Sequence, residues 1–134
     1  MKLATFTHRE RTRVGVVRGA EIADLEALAP ALPTRMIELL AAGADALAHA
    51  RDVAGSGRAL IPLDEVRMHA PIPRPGKFLA VGLNYADHVA ESGMQRPAHP
   101  TIFNKQTTCV NGPFDAVHLP RVSSALDYEG ELAF

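Results

Sequence analysis

The feature that most limits the fold of this chain is a run of prolines near its middle. Within IPLDEVRMHAPIPRPGKF, a proline stands at every second position from residue 71 to residue 75. Proline lacks a backbone N–H and has a fixed φ, so an α-helix cannot cross this stretch and an extended backbone is favoured. We therefore predict a connector near residues 70 to 76 that divides a small N-terminal domain, residues 1–70, from a second domain, residues 71–134.

The N-terminal part shows two periodicities in succession. KLATF, RVGVVRG and AEIADL alternate with period two and are separated by polar residues and Gly19, which is typical of an antiparallel meander. Apolar residues then recur with helical spacing between Thr34 and Gly43. A second helix is predicted in ADALAHARDVAG, ending at Gly55 or Gly57. This order of elements predicts a small α+β domain.

Short strands and one short helix are predicted after the connector. Residues 78–81 should form a buried strand, followed by a turn and by a helix over residues 86–92 that Gly93 ends. Further strands are predicted in TIFNKQTTCV, in AVHLP and in RVSSALDYEGELAF. The whole chain is therefore expected to be α+β and mainly β.

Composition argues against several classes of protein. Fourteen basic and fifteen acidic side chains give a net charge of -1, so no overall field would attract nucleic acid or an anionic membrane. No stretch approaches the roughly 18 apolar residues of a membrane span, and no signal peptide is recognised. The single Cys109 cannot form an internal disulfide, and we expect a cytoplasmic protein in which it is a buried or half-buried filler. The basic start around Arg9, Arg11 and Arg13 is expected to be solvated.

The last eight residues, DYEGELAF, alternate acidic side chains with small or apolar ones. In a β-strand, Asp127, Glu129 and Glu131 would share one face, where like charges repel unless water or a cation faces them. Glu129 and Glu131 would have Cα atoms about 6.6 Å apart, close enough to ligate one ion. Carboxylate oxygens favour Mg²⁺, Ca²⁺ or Mn²⁺ over Zn²⁺. A solvated edge strand protected by its charges is the alternative.

A second pair of polar residues follows the loop GLNY. His88 and Glu91 lie three positions apart on the predicted helix, so the carboxylate could orient the imidazole and stabilise its charged form. A general base that acts on water requires this arrangement, although the same pair is common on exposed helices and then contributes little. Lys105 interrupts an apolar run and could either bind a carboxylate substrate or face solvent.

The second half of the chain resembles the fumarylacetoacetate hydrolase family in the order and spacing of its motifs. These motifs are AVGLNYADHVAESG, PTIFNKQ and NGPFD followed by HLPRVSSALDYEGELAF. The resemblance covers residues 77–134 as the opening of the family's catalytic domain. Residues 1 to about 70 resemble the smaller N-terminal domain of many bacterial members. The resemblance implies a β-rich catalytic fold in which three carboxylates hold Mg²⁺ or Mn²⁺, in a protein that is often a homodimer.

The resemblance also implies roles for particular residues. It implies that Glu129 and Glu131 are metal ligands and that His88 and Glu91 form a catalytic dyad. It also implies that Tyr85 and Lys105 contact the substrate. The family's substrates are small 2-oxo acids with a further carbonyl group. The ion would stabilise the enolate formed when a carbon–carbon bond breaks, while His88 removes a proton from water.

The resemblance thus predicts a hydrolase of a 2,4-dioxo acid, of the acylpyruvate or fumarylacetoacetate type, in aromatic or small-acid catabolism. An isomerase or decarboxylase with the same machinery is the alternative. Leu83 stands where some relatives carry Arg, which leaves room for bulkier or differently charged substrates. The family's third metal ligand lies beyond the ExE motif, so we expect the front part of a longer enzyme. A non-catalytic piece that associates with partner chains is the remaining alternative.

Overall fold

An antiparallel sheet of five strands occupies residues 2–68 of the computed structural model, which describes residues 1–134. Its strands are β1 (Lys2–His8), β2 (Arg11–Arg18), β3 (Glu21–Asp24), β4 (Leu60–Pro62) and β5 (Arg67–Met68). Their order across the sheet is β4-β3-β2-β1-β5, so the predicted meander of β1, β2 and β3 is confirmed and two short strands cover its edges. The turn between β2 and β3 uses Gly19 at φ +61°, a left-handed conformation that glycine adopts without strain.

Three helices pack against one face of this sheet: α1 (Leu25–Leu28), α2 (Met36–Ala41) and α3 (Gly43–Gly55). The buried side chains of Val14 and Val16 on β2 meet Leu39 of α2 and Ala50 of α3 in the larger core. The opposite face buries Phe6 and Ile22 under the segment that leads from β4 to β5. Helices α2 and α3 agree with the prediction, whereas α1 was not predicted because one turn of helix has too few residues to show a period.

A buried ion pair joins β2 to β3. The side chains of Arg13 and Asp24 are only 7% and 9% exposed, and Nη2 of Arg13 donates to Oδ2 of Asp24 at 2.6 Å. The guanidinium carbon also lies 4.8 Å from the ring centroid of Phe6. The expectation of a solvated Arg13 is therefore wrong, because β-sheet pairing brings a carboxylate and an aromatic face to this residue.

The N-terminal sheet extends as far as the proline run. Residues 60–62 and 67–68 pair with the sheet, and the N–H of His69 still donates to the carbonyl of Thr5 at 2.9 Å. The Thr5 hydroxyl donates to the carbonyl of Pro71 at 2.6 Å. Residues 71–75 form no helix or strand, as proline predicts. The division into two domains near this point remains a prediction.

A second, two-stranded sheet carries the rest of the regular structure. Strands β6 (Leu79–Gly82) and β7 (Thr101–Asn104) pair antiparallel, and helix α4 (Ala86–Glu91) lies between them in sequence. Gly93 follows α4 at φ +65°, so the predicted strand, turn and helix are confirmed with boundaries shifted by one residue. The strand predicted in TIFNKQTTCV is too long, because it ends at Asn104 and a 3₁₀ turn, Thr107–Cys109, follows.

Strand β6 is not buried, contrary to the prediction from its apolar sequence. Leu79 and Val81 are both exposed, and they alternate along the strand with half-buried residues. A sheet of two strands covers little of either face, so apolar side chains on it stay in contact with solvent.

Three further predictions about the last part of the chain are wrong. AVHLP and DYEGELAF form no strand, and residues 116–134 are exposed. A strand needs a neighbour for its N–H and C=O groups, and no other segment pairs with these residues. Cys109 is exposed, not buried, and its thiol donates to the carbonyl of Gln106 at 2.8 Å.

Two antiparallel sheets with four short helices make this an α+β fold dominated by its sheets, as predicted. None of the helices has the length and apolar character needed to cross a membrane.

Candidate functional site

A cavity lies where the second sheet, α4 and the last residues of the chain meet. Its volume is about 530 Å³, within the range of small-molecule sites. Three separate parts of the chain line it: residues 80–85 with Asp87 and His88, then Phe103 and Lys105, and finally residues 129–131. These segments are far apart in sequence, so the cavity is a product of the tertiary fold.

The turn that leads from β6 into α4 shapes one wall of the cavity. Leu83 adopts a left-handed conformation, with φ +53°, directly after Gly82. Leucine reaches this region only at an energetic cost, of the order of 1–3 kcal/mol, and such residues cluster at functional sites. Tyr85 then returns to an extended conformation and precedes the first turn of α4. The backbone therefore reverses within three residues and directs the start of α4 towards the cavity.

Helix α4 presents His88 to the cavity and holds Glu91 behind it. His88 lines the cavity and is exposed, whereas Val89, the next residue on the helix, is only 7% exposed and anchors α4. Glu91 lies one turn after His88 but does not line the cavity. No hydrogen bond or ion pair joins the two side chains in this structure, so the members of the predicted dyad share a helix without a polar contact.

The two glutamates of the ExE motif face the same cavity as His88. They also line a smaller, wholly polar cavity of about 450 Å³ together with Lys105 and Asp127. Lys105 follows β7, where its N–H donates to the carbonyl of Phe78 at 2.7 Å and its Nζ lies 5.9 Å from the ring centroid of Phe103. Lys105 is the one cationic residue in the lining that it shares with the three carboxylates.

The donor set of this cavity fits a hard divalent cation. Glu129, Glu131 and Asp127 offer carboxylate oxygens, the ligands that Mg²⁺, Mn²⁺ and Ca²⁺ prefer. These residues do not converge on one point, since no group of three or more acidic, histidine or cysteine side chains has the arrangement of a metal site. Two glutamates fill part of a six-coordinate shell, and water or substrate oxygens complete such shells.

Tyr85 connects the two halves of the site. Its hydroxyl donates to the carbonyl of Gly130 at 3.4 Å, a long hydrogen bond that links the turn before α4 to the segment between the two glutamates. Tyr85 also lines the cavity, where the sequence predicted a substrate contact. The structure thus brings together five of the six predicted site residues and leaves Glu91 outside the lining.

Three polar or aromatic residues of the lining were not named as site residues from the sequence: Asn84, Asp87 and Phe103. Asn84 belongs to the GLNY loop, and Asp87 precedes His88, so their positions in the motif were the available signal. Phe103 lies opposite Ala80 in the β6–β7 pairing, and this register was not readable from the sequence.

Comparison with protein families matches residues 77–134 to the C-terminal domain of fumarylacetoacetate (FAA) hydrolase. Among curated proteins, the mitochondrial oxaloacetate tautomerase Fahd2a of Rattus norvegicus is 39% identical, over 99% of this chain and 44% of its own length. The oxaloacetate tautomerase YisK of Bacillus subtilis is also 39% identical, over 99% of this chain and 50% of its own length. This chain therefore spans half or less of the length of these two relatives.

Comparison of structures gives a consistent result. A crystal structure of maleylpyruvate hydrolase from Sphingobium sp. SYK-6, in complex with manganese(II) ion and pyruvate, superposes with a TM-score of 0.67 and 37% identity, over 90% of this chain and 43% of that chain. A second structure of maleylpyruvate hydrolase from the same source has a TM-score of 0.68 and 35% identity, over 92% of this chain and 43% of that chain. These proteins are enzymes, and the match of the family's domain to the cavity-forming residues 77–134 shows that this chain belongs to the fumarylacetoacetate hydrolase family.

Proposed function

We propose that this chain supplies the first part of a metal-dependent active site that hydrolyses a carbon–carbon bond in a small 2,4-dioxo acid. The observation that carries the proposal is the single cavity lined by His88, Lys105, Glu129 and Glu131. A proton acceptor, a cation and two metal-ligand carboxylates are the groups this reaction requires. The manganese and pyruvate of the superposed maleylpyruvate hydrolase support it.

Glu129 and Glu131 would hold the divalent ion, with Mg²⁺ expected and Mn²⁺ or Ca²⁺ as alternatives. When bound, such an ion polarises substrate oxygens as a Lewis acid. Lys105 lines the same polar cavity, and its ammonium would pair with the carboxylate of the 2-oxo acid. The glutamates and Lys105 together would fix the 2-oxo end of the substrate.

His88 would act on water. Its imidazole takes a proton, and the resulting hydroxide adds to the 4-carbonyl carbon. The bond between C3 and C4 then breaks with its electron pair moving to C3, which is protonated to give pyruvate, while C4 leaves as a carboxylic acid. Glu91 is on the same helix one turn away, and we propose that it approaches and orients His88 when substrate closes α4 over the cavity.

The test is turnover of a 2,4-dioxo acid by the purified protein in the presence of Mg²⁺ or Mn²⁺, with pyruvate as the measured product. Because a general base contributes about 10² to 10⁴ in rate, His88→Ala should lower kcat by that factor. His49→Ala is the matched control, since His49 is exposed on α3 and lies outside the cavity. A His88→Ala protein that retains turnover within about tenfold of the parent would exclude this role.

Tautomerisation of a 2-oxo acid is a second candidate, because the rat and Bacillus relatives are named oxaloacetate tautomerases. The same residues would serve, with His88 moving a proton between C3 and the 2-oxo oxygen without addition of water. Loss of the enol absorbance of oxaloacetate without release of a shorter acid would identify this activity. Decarboxylation, the remaining alternative, would release CO₂.

The protein to be assayed is defined by sequencing the source DNA through and past codon 134. We also propose the division into residues 1–70 and 71–134 and a homodimeric assembly, which limited proteolysis and light scattering, respectively, would test. The proposed occupant of the cavity is in every case a small organic acid.

A further inference from the structure

A further cavity lies on the N-terminal sheet, among residues that the candidate functional site does not use. Its volume is about 260 Å³, and its lining comes from the start of β1, the end of β2 and the last turns of α3. No residue of this lining belongs to the cavity that contains His88 and the two glutamates. The two cavities are therefore separate places on the molecule.

Three cationic side chains line this cavity, and each belongs to a different element. Lys2 begins β1, Arg18 ends β2, and Arg51 lies in α3. None of the three takes part in a salt bridge of this structure, and the lining contains no acidic residue. The whole chain has a net charge of -1, so this local excess of positive charge comes from the fold and not from the composition. Like charges repel, so the cluster costs free energy until an anion faces it.

The hydrogen bonding of Arg18 favours a ligand over an internal ion pair. Glu21 lies opposite Arg18 in the pairing of β2 and β3, yet no salt bridge joins the two side chains. Nη1 of Arg18 instead donates to the carbonyl of Ala54 in α3 at 2.8 Å. This bond holds the guanidinium against the end of the helix and leaves its other N–H groups free to donate to an anion.

The rest of the lining is small or apolar. Val16 and Ala54 are buried, Val17 is half-buried, and the two remaining residues are Met1 and Gly55. None of these side chains can accept a hydrogen bond from the three cations in the way that a carboxylate or hydroxyl would. The cations of this cavity are therefore without an acceptor side chain in its own lining.

We propose that this cavity binds a small anion that contains two or more phosphate groups. Each phosphate group carries about 1.5 to 2 negative charges at pH 7, so two of them balance three cations, whereas a single carboxylate balances one. Arginine binds phosphate in bidentate pairs, and lysine binds it as a point charge. An anion in this cavity would contact β1, β2 and α3 together, and it would therefore stabilise the N-terminal sheet with its helices against unfolding.

Calorimetric titration of the protein with inorganic pyrophosphate, in a low-salt buffer without Mg²⁺, tests the site. Loss of one charge-assisted contact corresponds to about 10- to 100-fold in affinity, so Arg51→Gln should weaken binding by that factor. Arg51 is exposed, so its replacement should leave the fold intact. Arg58→Gln is the matched control, because Arg58 is an exposed cation that follows α3 and lies outside the cavity.

Thermal unfolding gives a second readout that does not depend on catalysis. Pyrophosphate at about 100 times its Kd should raise the Tm of the parent protein by roughly 10 °C. The same concentration should raise the Tm of Arg51→Gln by no more than about half as much, because its Kd is larger. Arg58→Gln should respond as the parent does.

Citrate and ADP identify the part of the ligand that is recognised. Citrate carries several charges on carboxylates, and weaker binding of citrate than of pyrophosphate supports a phosphate site. ADP that binds more tightly than pyrophosphate adds a nucleoside to the ligand, and ADP of equal or lower affinity limits the ligand to its phosphates. Three results overturn the proposal: no binding of pyrophosphate at millimolar concentration, an equal loss of affinity in Arg58→Gln, or citrate that binds as tightly as pyrophosphate.

Discussion

Replacement of Asp24 by Asn should destabilise the N-terminal sheet strongly, although it changes only one charge. Arg13 would keep its buried position, where its Nε and Nη2 now donate to Asp24 at 2.6–3.0 Å. The only other acid in reach is Glu26, whose Oε2 lies 3.5 Å from Nε. Asn is as good as Asp at a helix N-terminus, so the cap that Asp24 gives to the N–H groups of Glu26 and Ala27 is retained.

The expected cost follows from the burial of the pair. Removal of one partner of a buried ion pair costs about 3–5 kcal/mol because the other charge is left without compensation. Glu26 supplies part of that compensation, so we expect about 3 kcal/mol for Asp24→Asn, the lower end of this range. Arg13→Met with Asp24→Asn removes both charges and should cost less than the sum of the two single changes, with a coupling of about 1–3 kcal/mol.

Urea unfolding followed by circular dichroism gives the free energy of unfolding of each variant. Glu38→Gln is the matched control, because Glu38 pairs with Arg35 at 2.8 Å on an exposed surface and should contribute no more than about 0.5 kcal/mol. A loss below about 1 kcal/mol for Asp24→Asn, or strict additivity in the double variant, would refute the assignment of a buried, coupled pair.

Three further predictions concern pH, packing and the strained turn. Burial acts to raise the pKa of Asp24, but the hydrogen bonds and charge of Arg13 outweigh it and hold that pKa below its usual value. Asp24 should therefore add to the free energy of unfolding, fully above the ordinary carboxyl pKa and progressively less as pH falls through the lowered native pKa. Unfolding measured against pH should show this contribution in the parent protein and not in Asp24→Asn. Gly15→Ala should cost about 1–3 kcal/mol in urea unfolding because a Cβ would lie 2.7 Å from the carbonyl oxygen of Ala23, whereas Gly55→Ala meets no atom within 4 Å and should not destabilise. Leu83→Gly removes the cost of the left-handed backbone at residue 83. It should raise kcat/KM if that strain opposes closure of the site, and lower kcat/KM if the strain preorganises the turn. Unchanged kinetics would contradict a functional role for the strain.

The N-terminal sheet was predictable because its signals are local. Period-two alternation specifies β1, β2 and β3 without knowledge of distant residues, and prolines mark where regular structure stops. The buried position of Arg13 was not predictable, because it depends on a carboxylate eleven residues away that only the strand register brings into contact.

The candidate site shows the same division. Strand, turn and helix at residues 79–91 follow from local signals, and the motifs in and after this segment are sufficient to indicate the family. The alternation of DYEGELAF singled out Glu129 and Glu131 as metal ligands, which remains a prediction, and both line the cavity. The strand that the alternation predicted does not form, because pairing depends on a neighbouring strand and not on the alternation itself. Phe103 gave no motif signal, because only the register of β6 and β7 places it in the lining of the cavity.

The attachment of residues 67–72 to β1 determines where the N-terminal sheet could be separated from the rest of the chain for study. Two of these contacts lie at the end of residues 1–70: the backbone pairing of β5 and the hydrogen bond between Thr5 and His69. Two more lie after residue 70: the hydrogen bond between Thr5 and Pro71 and the packing of Ile72 on the larger core. A fragment that stops at residue 70 would remove the last two of these contacts, whereas one that ends at Pro73 keeps all of them and the protected edge of the sheet. Expression boundaries for the isolated sheet should therefore be set within the proline run and not before it.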